Sequence, residues 1–218
     1  MSQAQAALSY NAFRDSVPEW VRVEFGELTN VKVRFESLMY GPLNSYCFSV
    51  FPPTQEFMVT PQASLRKRHG VGHSLDHNDG LPVPPTSASD KPDQPDIYVQ
   101  RWIPTHIRES FPEPWGDLRR RFLNICIIEV KRDTIDGQES WHQITRYMTL
   151  AGSRQDGHPL ASDKPRLKGF LVGPSSFYSF QLVSHKLGAQ WVALGETEIG
   201  DNGYNLWAQL EELAIGWR

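Results

Sequence analysis

The chain predicts an α/β fold, a mixed central β-sheet flanked by helices, and three observations carry that expectation. Residues 124–131, Asn-Ile-Cys-Ile-Ile-Glu-Val-Lys, form a continuous apolar run rich in β-branched side chains. Such a run marks a strand buried on both faces of a sheet. Segments of helical period, residues 140–148 and 204–217, alternate with strand-like runs. Gly173-Pro174-Ser175-Ser176 separates two of those runs as a hairpin connection would.

Taken in order, Val21, Val23 and Phe25 alternate as in a strand, as do Val31, Val33 and Phe35. A helix remains open for that region. Gly41-Pro42 starts a helix with Leu43, Tyr46, Cys47 and Val50 on one apolar face, and Pro52-Pro53 ends it. Residues 56–60 read as a strand. Residues 72–95 crowd Gly, Pro, Ser, Asp and Asn together with few large apolar residues, and read as an exposed loop. Ile97-Tyr98-Val99 is a short β-prone run. An insertion at 102–121 follows, whose residues 115–122 form a short basic helix by pattern. A polar loop at 152–164 then leads to strands at 167–172, 177–183 and 190–194. Residues 204–217 close the fold as an amphipathic helix with Leu206, Leu210, Leu213 and Trp217 inward.

At 218 residues the chain is long enough for one sizeable core, and it reads as a single domain over 1–218. With 39% hydrophobic and 11% aromatic residues it has the composition of a globular protein. No apolar stretch approaches membrane-spanning length. Residues 1–7 lack the basic and apolar regions of a secretory signal. The two cysteines, Cys47 and Cys126, sit inside apolar runs, as free thiols of a reducing compartment do. These features predict a cytoplasmic or nuclear protein. The net charge of −3 argues against binding nucleic acid through a broadly basic surface. The cations are clustered instead, in Arg66-Lys67-Arg68, Arg119-Arg120-Arg121 and Arg132, where each group either tracks phosphates locally or is a solvated face.

The apolar run ends in opposite charges, Glu129 and Lys131. Side chains alternate along a strand, so the two share a face. A carboxylate and an ammonium at the end of a core strand are costly unless compensated, and a metal ion beside a phosphate would compensate them. Upstream, Pro95-Asp96 stands directly before its strand. Downstream, Gln143 and Tyr147 are four apart and lie on one helical face.

The order P-D, then E-x-K, then a helix bearing Q-x-x-x-Y resembles the PD-(D/E)XK nuclease superfamily over roughly residues 36–183. The segment 36–62 is also similar to a group of fungal proteins carrying this nuclease-like domain. The resemblance implies a restriction-endonuclease-like fold and metal-dependent hydrolysis of phosphodiester bonds, in DNA rather than RNA. It implies Mg²⁺ or Mn²⁺ held by Asp96, Glu129 and the backbone carbonyl of Val130, with Glu36 as an extra acid from an early helix. Glu24 and Glu27 are rivals for that last role, and Asp93 is a rival for Asp96. Lys131 would orient or deprotonate the attacking water, and Gln143 and Tyr147 would support the site. Hard divalent cations prefer such oxygen ligands.

A homodimer is a possible assembly, since cutting both strands of a duplex can employ two sites. The other reading is a non-catalytic nucleic-acid- or protein-binding module that retains the fold. His69, His73 and His77 repeat every four residues, but the glycines among them disfavour the helix a zinc site would need there. There is no G-x-S-x-G, P-loop or G-x-G-x-x-G, so nucleophile-elbow hydrolases, NTPases and dinucleotide enzymes have no support.

Overall fold

The computed structural model describes residues 3–30, 37–62, 95–111, 121–131, 137–153, 164, 166–184 and 190–218. In chain order its elements are α1 Gln3–Ser16, α2 Glu19–Asn30, α3 Ser37–Val50, β1 Phe57–Pro61, β2 Ile97–Trp102, α4 Thr105–Arg108 and β3 Phe122–Val130. Then come α5 Gln138–Ser153, β4 Lys168–Val172, β5 Ser176–Ser184, β6 Gln190–Glu198 and α6 Tyr204–Trp217. The expected loop at 72–95 lies outside the described residues except for Pro95, as does most of the basic helix expected at 115–122.

The six strands form one mixed sheet in the order β1-β2-β3-β4-β5-β6. Neighbours are antiparallel except β3 and β4, which are parallel. Parallel neighbours need a crossover, and α5 supplies it. Every residue of β3 from Leu123 to Val130 is buried, as its unbroken apolar sequence requires. One sheet face packs against α1, α2, α3 and α6, through Phe13, Val21, Leu43 and Leu206 over Phe57, Ile97, Ile128 and Phe170. The opposite face packs against α5, through Ile144 and Met148 over Tyr98, Ile127, Leu171 and Phe180. In α6 the spacing of Leu206, Leu210, Leu213 and Trp217 buries all four, each worth about 1.5–3 kcal/mol of apolar transfer.

Two expectations are corrected. Val21, Val23 and Phe25 lie on helix α2, not on a strand. Val21 and Phe25 are buried four residues apart, whereas Val23 between them is 48% exposed, so the period that decides is helical. Val31, Val33 and Phe35 lie outside the described residues. Helix α3 begins at Ser37, and Pro42 sits inside it rather than starting it. The carbonyl that Pro42 deprives of a partner belongs to Leu38 in the first turn, an exposed residue at which water can replace the missing donor. The apolar face of that helix is as expected, with Leu43, Tyr46, Cys47 and Val50 all buried.

Two buried polar contacts lock the layers together. Asn124 is buried within β3 and donates to the carbonyl of Ala151, while its own oxygen accepts from Gln100 Nε2 at 2.9 Å. Ala151 is in the last turn of α5, where carbonyls have no helical partner, so Asn124 fixes that helix on the sheet. On the other face the Tyr46 hydroxyl donates to the Gly203 carbonyl at 2.6 Å, and its ring stacks on Phe25. Gly203 has φ +89°, and a Cβ there would lie 2.8 Å from Phe25, so both backbone and space demand glycine. Tyr46→Phe is expected to destabilise the fold by about 1 kcal/mol by removing this buried hydrogen bond, read as a lower urea midpoint with unchanged slope.

Candidate active site

Where β2 and β3 meet α5, four side chains join in one hydrogen-bonded line. Lys131 follows β3 directly, and its Nζ donates to Glu129 Oε1 and to Gln143 Oε1, each at 2.9 Å. Gln143 Nε2 then donates to the Tyr147 hydroxyl oxygen at 2.9 Å. Lysine has only donors, so the amide oxygen of Gln143 must face it and the amide nitrogen must face the phenol. The strand period puts Glu129 and Lys131 on the α5 side of the sheet, and the four-residue spacing aims Gln143 and Tyr147 down at them.

Asp96 reaches the same place from β2. Ile97 pairs with Ile128, so Asp96 stands across from Glu129. Its Oδ2 accepts from the Val130 backbone N–H at 2.7 Å, and its carbonyl accepts from Gln62 N–H at the end of β1. A strand residue directs its N–H and C=O to the same neighbour, so the Val130 carbonyl faces the Asp96 side as well. The sequence-predicted residues Asp96, Glu129, Val130, Lys131, Gln143 and Tyr147 are thus brought together.

Glu129 is 3% exposed, and its Oε2 has no hydrogen-bond partner among the described residues. Burial first, and then the Asp96 carboxylate, push its carboxyl up from 4.5 to about 7, against the pull of Lys131 and of the Asp96 backbone N–H. A buried carboxylate oxygen without a partner costs about 1–3 kcal/mol, and a cation between two acids would relieve it. The oxygen-only donor set suits Mg²⁺ or Mn²⁺. Among the described residues no three His, Cys, Asp or Glu side chains converge, so two carboxylates and one carbonyl would be the protein's share of the ligands.

The remaining candidates stand apart. Arg121 is exposed, with its guanidinium 5.4 Å from the Phe122 ring, at the opposite end of β3. Eight residues of extended chain put it about 27 Å from Glu129, too far to share a phosphate with Lys131. Glu24 and Glu27 are exposed on α2. Glu36, Arg66, Lys67, Arg68, Arg119, Arg120 and Arg132 lie outside the described residues, as do Asp93 and the three histidines at 69, 73 and 77. Both cysteines are free and buried, and burial pushes the Cys47 thiol up to about 12.

No protein-family model, curated protein or solved structure matches the chain. Among the described residues no helix is long and apolar enough to cross a membrane.

Sequence reasoning passed over three residues at this end of the sheet. Trp141 lies two positions before Gln143 on α5, and its ring meets Tyr178 of β5 edge-on at 5.1 Å. Glu196 of β6 accepts from the Tyr178 hydroxyl at 3.1 Å and from the Ser176 hydroxyl at 2.6 Å. Strand register alone joins Tyr178 and Glu196 to the site, and register across four strands has no local signature.

Proposed function

We propose that the protein is a divalent-metal-dependent nuclease of the PD-(D/E)XK type, with DNA as its substrate. The observation that carries this reading is the unpartnered, buried Oε2 of Glu129, set across from Asp96 with Lys131 bonded alongside. Asp96, Glu129 and the Val130 carbonyl would hold Mg²⁺ or Mn²⁺. The ion supplies positive charge against phosphoryl oxygens and acidifies water, which is what hydrolysis of a phosphodiester lacks at neutral pH.

The chain's own residues do the rest. Lys131 spends two of its three N–H groups on Glu129 and Gln143, which leaves the third to donate to whatever fills the site. A phosphate oxygen or an attacking water placed there is oriented, and negative charge developing on it is offset. Gln143 holds the ammonium in place, and Tyr147, buried beneath it, holds Gln143.

The test is incubation of the purified protein with DNA and with RNA in Mn²⁺ or Mg²⁺, beside a reaction containing a chelator. Cleavage of DNA that the chelator abolishes is the expected result. No cleavage of either polymer, with no heat on titrating Mn²⁺, overturns the reading in favour of a non-catalytic module of the same fold.

A further inference from the structure

The sheet register places more than the catalytic acids in one line. Asp96 stands across from Glu129, Glu129 pairs with Leu171, Leu171 with Tyr178, and Tyr178 with Glu196. Residues paired laterally project from the same face. This row therefore crosses the α5 side of the sheet from β2 to β6. At about 4.8 Å per strand, Tyr178 lies about 10 Å from Glu129 and Glu196 about 14 Å from it. Leu171 is buried between them. Over Tyr178 sits Trp141, on the same helix as Gln143.

We propose that Trp141, Tyr178 and Glu196 form a subsite for one unpaired base beside the scissile phosphate, which makes single-stranded or locally unpaired nucleic acid the preferred substrate. The proposal rests on the nuclease reading above. Both rings are half-buried, so each keeps some surface in solvent beside the catalytic row. A base inside a duplex has its faces covered by neighbours and its pairing edge by its partner, so only an unpaired base can lie against these rings.

Packing over the second core accounts for the ring contacts of Trp141 with Tyr178 and Phe180. It does not account for Glu196. That residue is exposed and fixes both the Ser176 and the Tyr178 hydroxyls. An ionised carboxylate has about four acceptor positions, and these hydroxyls use two. The remainder accept only from donors, which in an unpaired base are exocyclic amino groups and ring N–H groups. Cytosine carries its amino group at the edge of the ring, whereas thymine's one donor, N3–H, lies between two carbonyl oxygens that an anionic carboxylate repels, so the chemistry favours cytosine over thymine.

Binding of fluorescent oligodeoxycytidine, oligothymidine and a duplex is measured by anisotropy with Ca²⁺ replacing Mn²⁺, so that no strand is cut. Wild type is expected to bind the single strands more tightly than the duplex, and oligodeoxycytidine more tightly than oligothymidine. Trp141→Leu should weaken both single strands about tenfold or more. Glu196→Gln, an exposed change that leaves packing intact, should erase the preference for cytosine and leave thymidine binding as it was. Tyr178→Phe, which keeps the ring, should preserve single-strand binding. Equal binding by wild type and Trp141→Leu overturns the subsite, as does failure of wild type to bind any single strand. A discriminating wild type that cuts nothing in Mn²⁺ supports the subsite and refutes the hydrolytic reading. Metal-dependent cleavage indifferent to all three substitutions does the reverse.

Discussion

Replacing Lys131 with methionine is expected to lower metal-dependent hydrolysis about a hundred- to thousandfold, the usual effect of removing one placed charged donor. Methionine keeps most of the stem and discards only the ammonium. The same substitution should destabilise the protein, because Glu129 loses the 2.9 Å partner of its Oε1 while remaining 4% exposed. Removing one member of a buried pair costs about 3–5 kcal/mol. The Lys131 side chain is 19% exposed, so water shares the load and about 2 kcal/mol is the better figure at pH above 7. Near pH 5 the cost shrinks, since a Glu129 carboxyl that has risen to about 7 is then protonated. Adding Glu129→Gln removes the stranded charge, so the double variant recovers stability at high pH and stays inactive. Urea midpoints at two pH values and initial rates in Mn²⁺ decide it. Wild-type rates in Lys131→Met would remove the lysine from the chemistry. A double variant less stable than Lys131→Met would remove the buried-charge argument.

How much of this was legible in the sequence follows from how local each signal is. Strand β3 carries its burial in its own composition, and α6 carries its inner face in the spacing of three leucines and a tryptophan. The core of the site was readable for the same reason. Glu129 and Lys131 are joined by the two-residue strand period, and Gln143 and Tyr147 by the four-residue helix period. The N-terminal region misled because Val21, Val23 and Phe25 satisfy a strand period over five residues. Only burial separates the two periods, since Val21 and Phe25 are buried four apart while Val23 between them is exposed. Asn124 shows a further limit. One polar residue in an apolar run signals a buried hydrogen bond, but not that the acceptor is Ala151 in a helix formed later in the chain. Glu196 had no signal at all, because its place beside Tyr178 depends on β4 and β5 settling between β3 and β6. Arg121 is the converse case. Once β3 is taken as extended, its distance from Glu129 follows from counting residues, and a basic residue eight positions from the motif in sequence is far from it in space.

The stability of the metal-free protein is expected to fall as pH rises from about 4.5 through about 7, and a divalent cation should restore it only at the upper end. Burial and Asp96 hold the Glu129 carboxyl at about 7 in the folded state, against 4.5 ordinarily. Below 4.5 the group is protonated folded or unfolded, and its favourable contribution is fully present. Between the two values the unfolded chain ionises first, so the folded state binds more protons and loses stability with each step in pH. Above about 7 both states are ionised, and the loss levels off at about 3 kcal/mol. Glu129→Gln has no such group, so the difference between wild type and this variant across the range isolates the effect. A cation binds the ionised carboxylate and must displace the proton. Mn²⁺ at a hundred times its dissociation constant adds about 2.7 kcal/mol, or about 5–10 °C in melting temperature for a chain of this size. That shift should be full above pH 7, small near pH 5 and absent in Glu129→Gln. Thermal melts at both pH values, with and without Mn²⁺, read all three. A shift that ignores pH, or one that survives Glu129→Gln, would place the bound ion away from this carboxylate and leave its unpartnered oxygen without a chemical purpose.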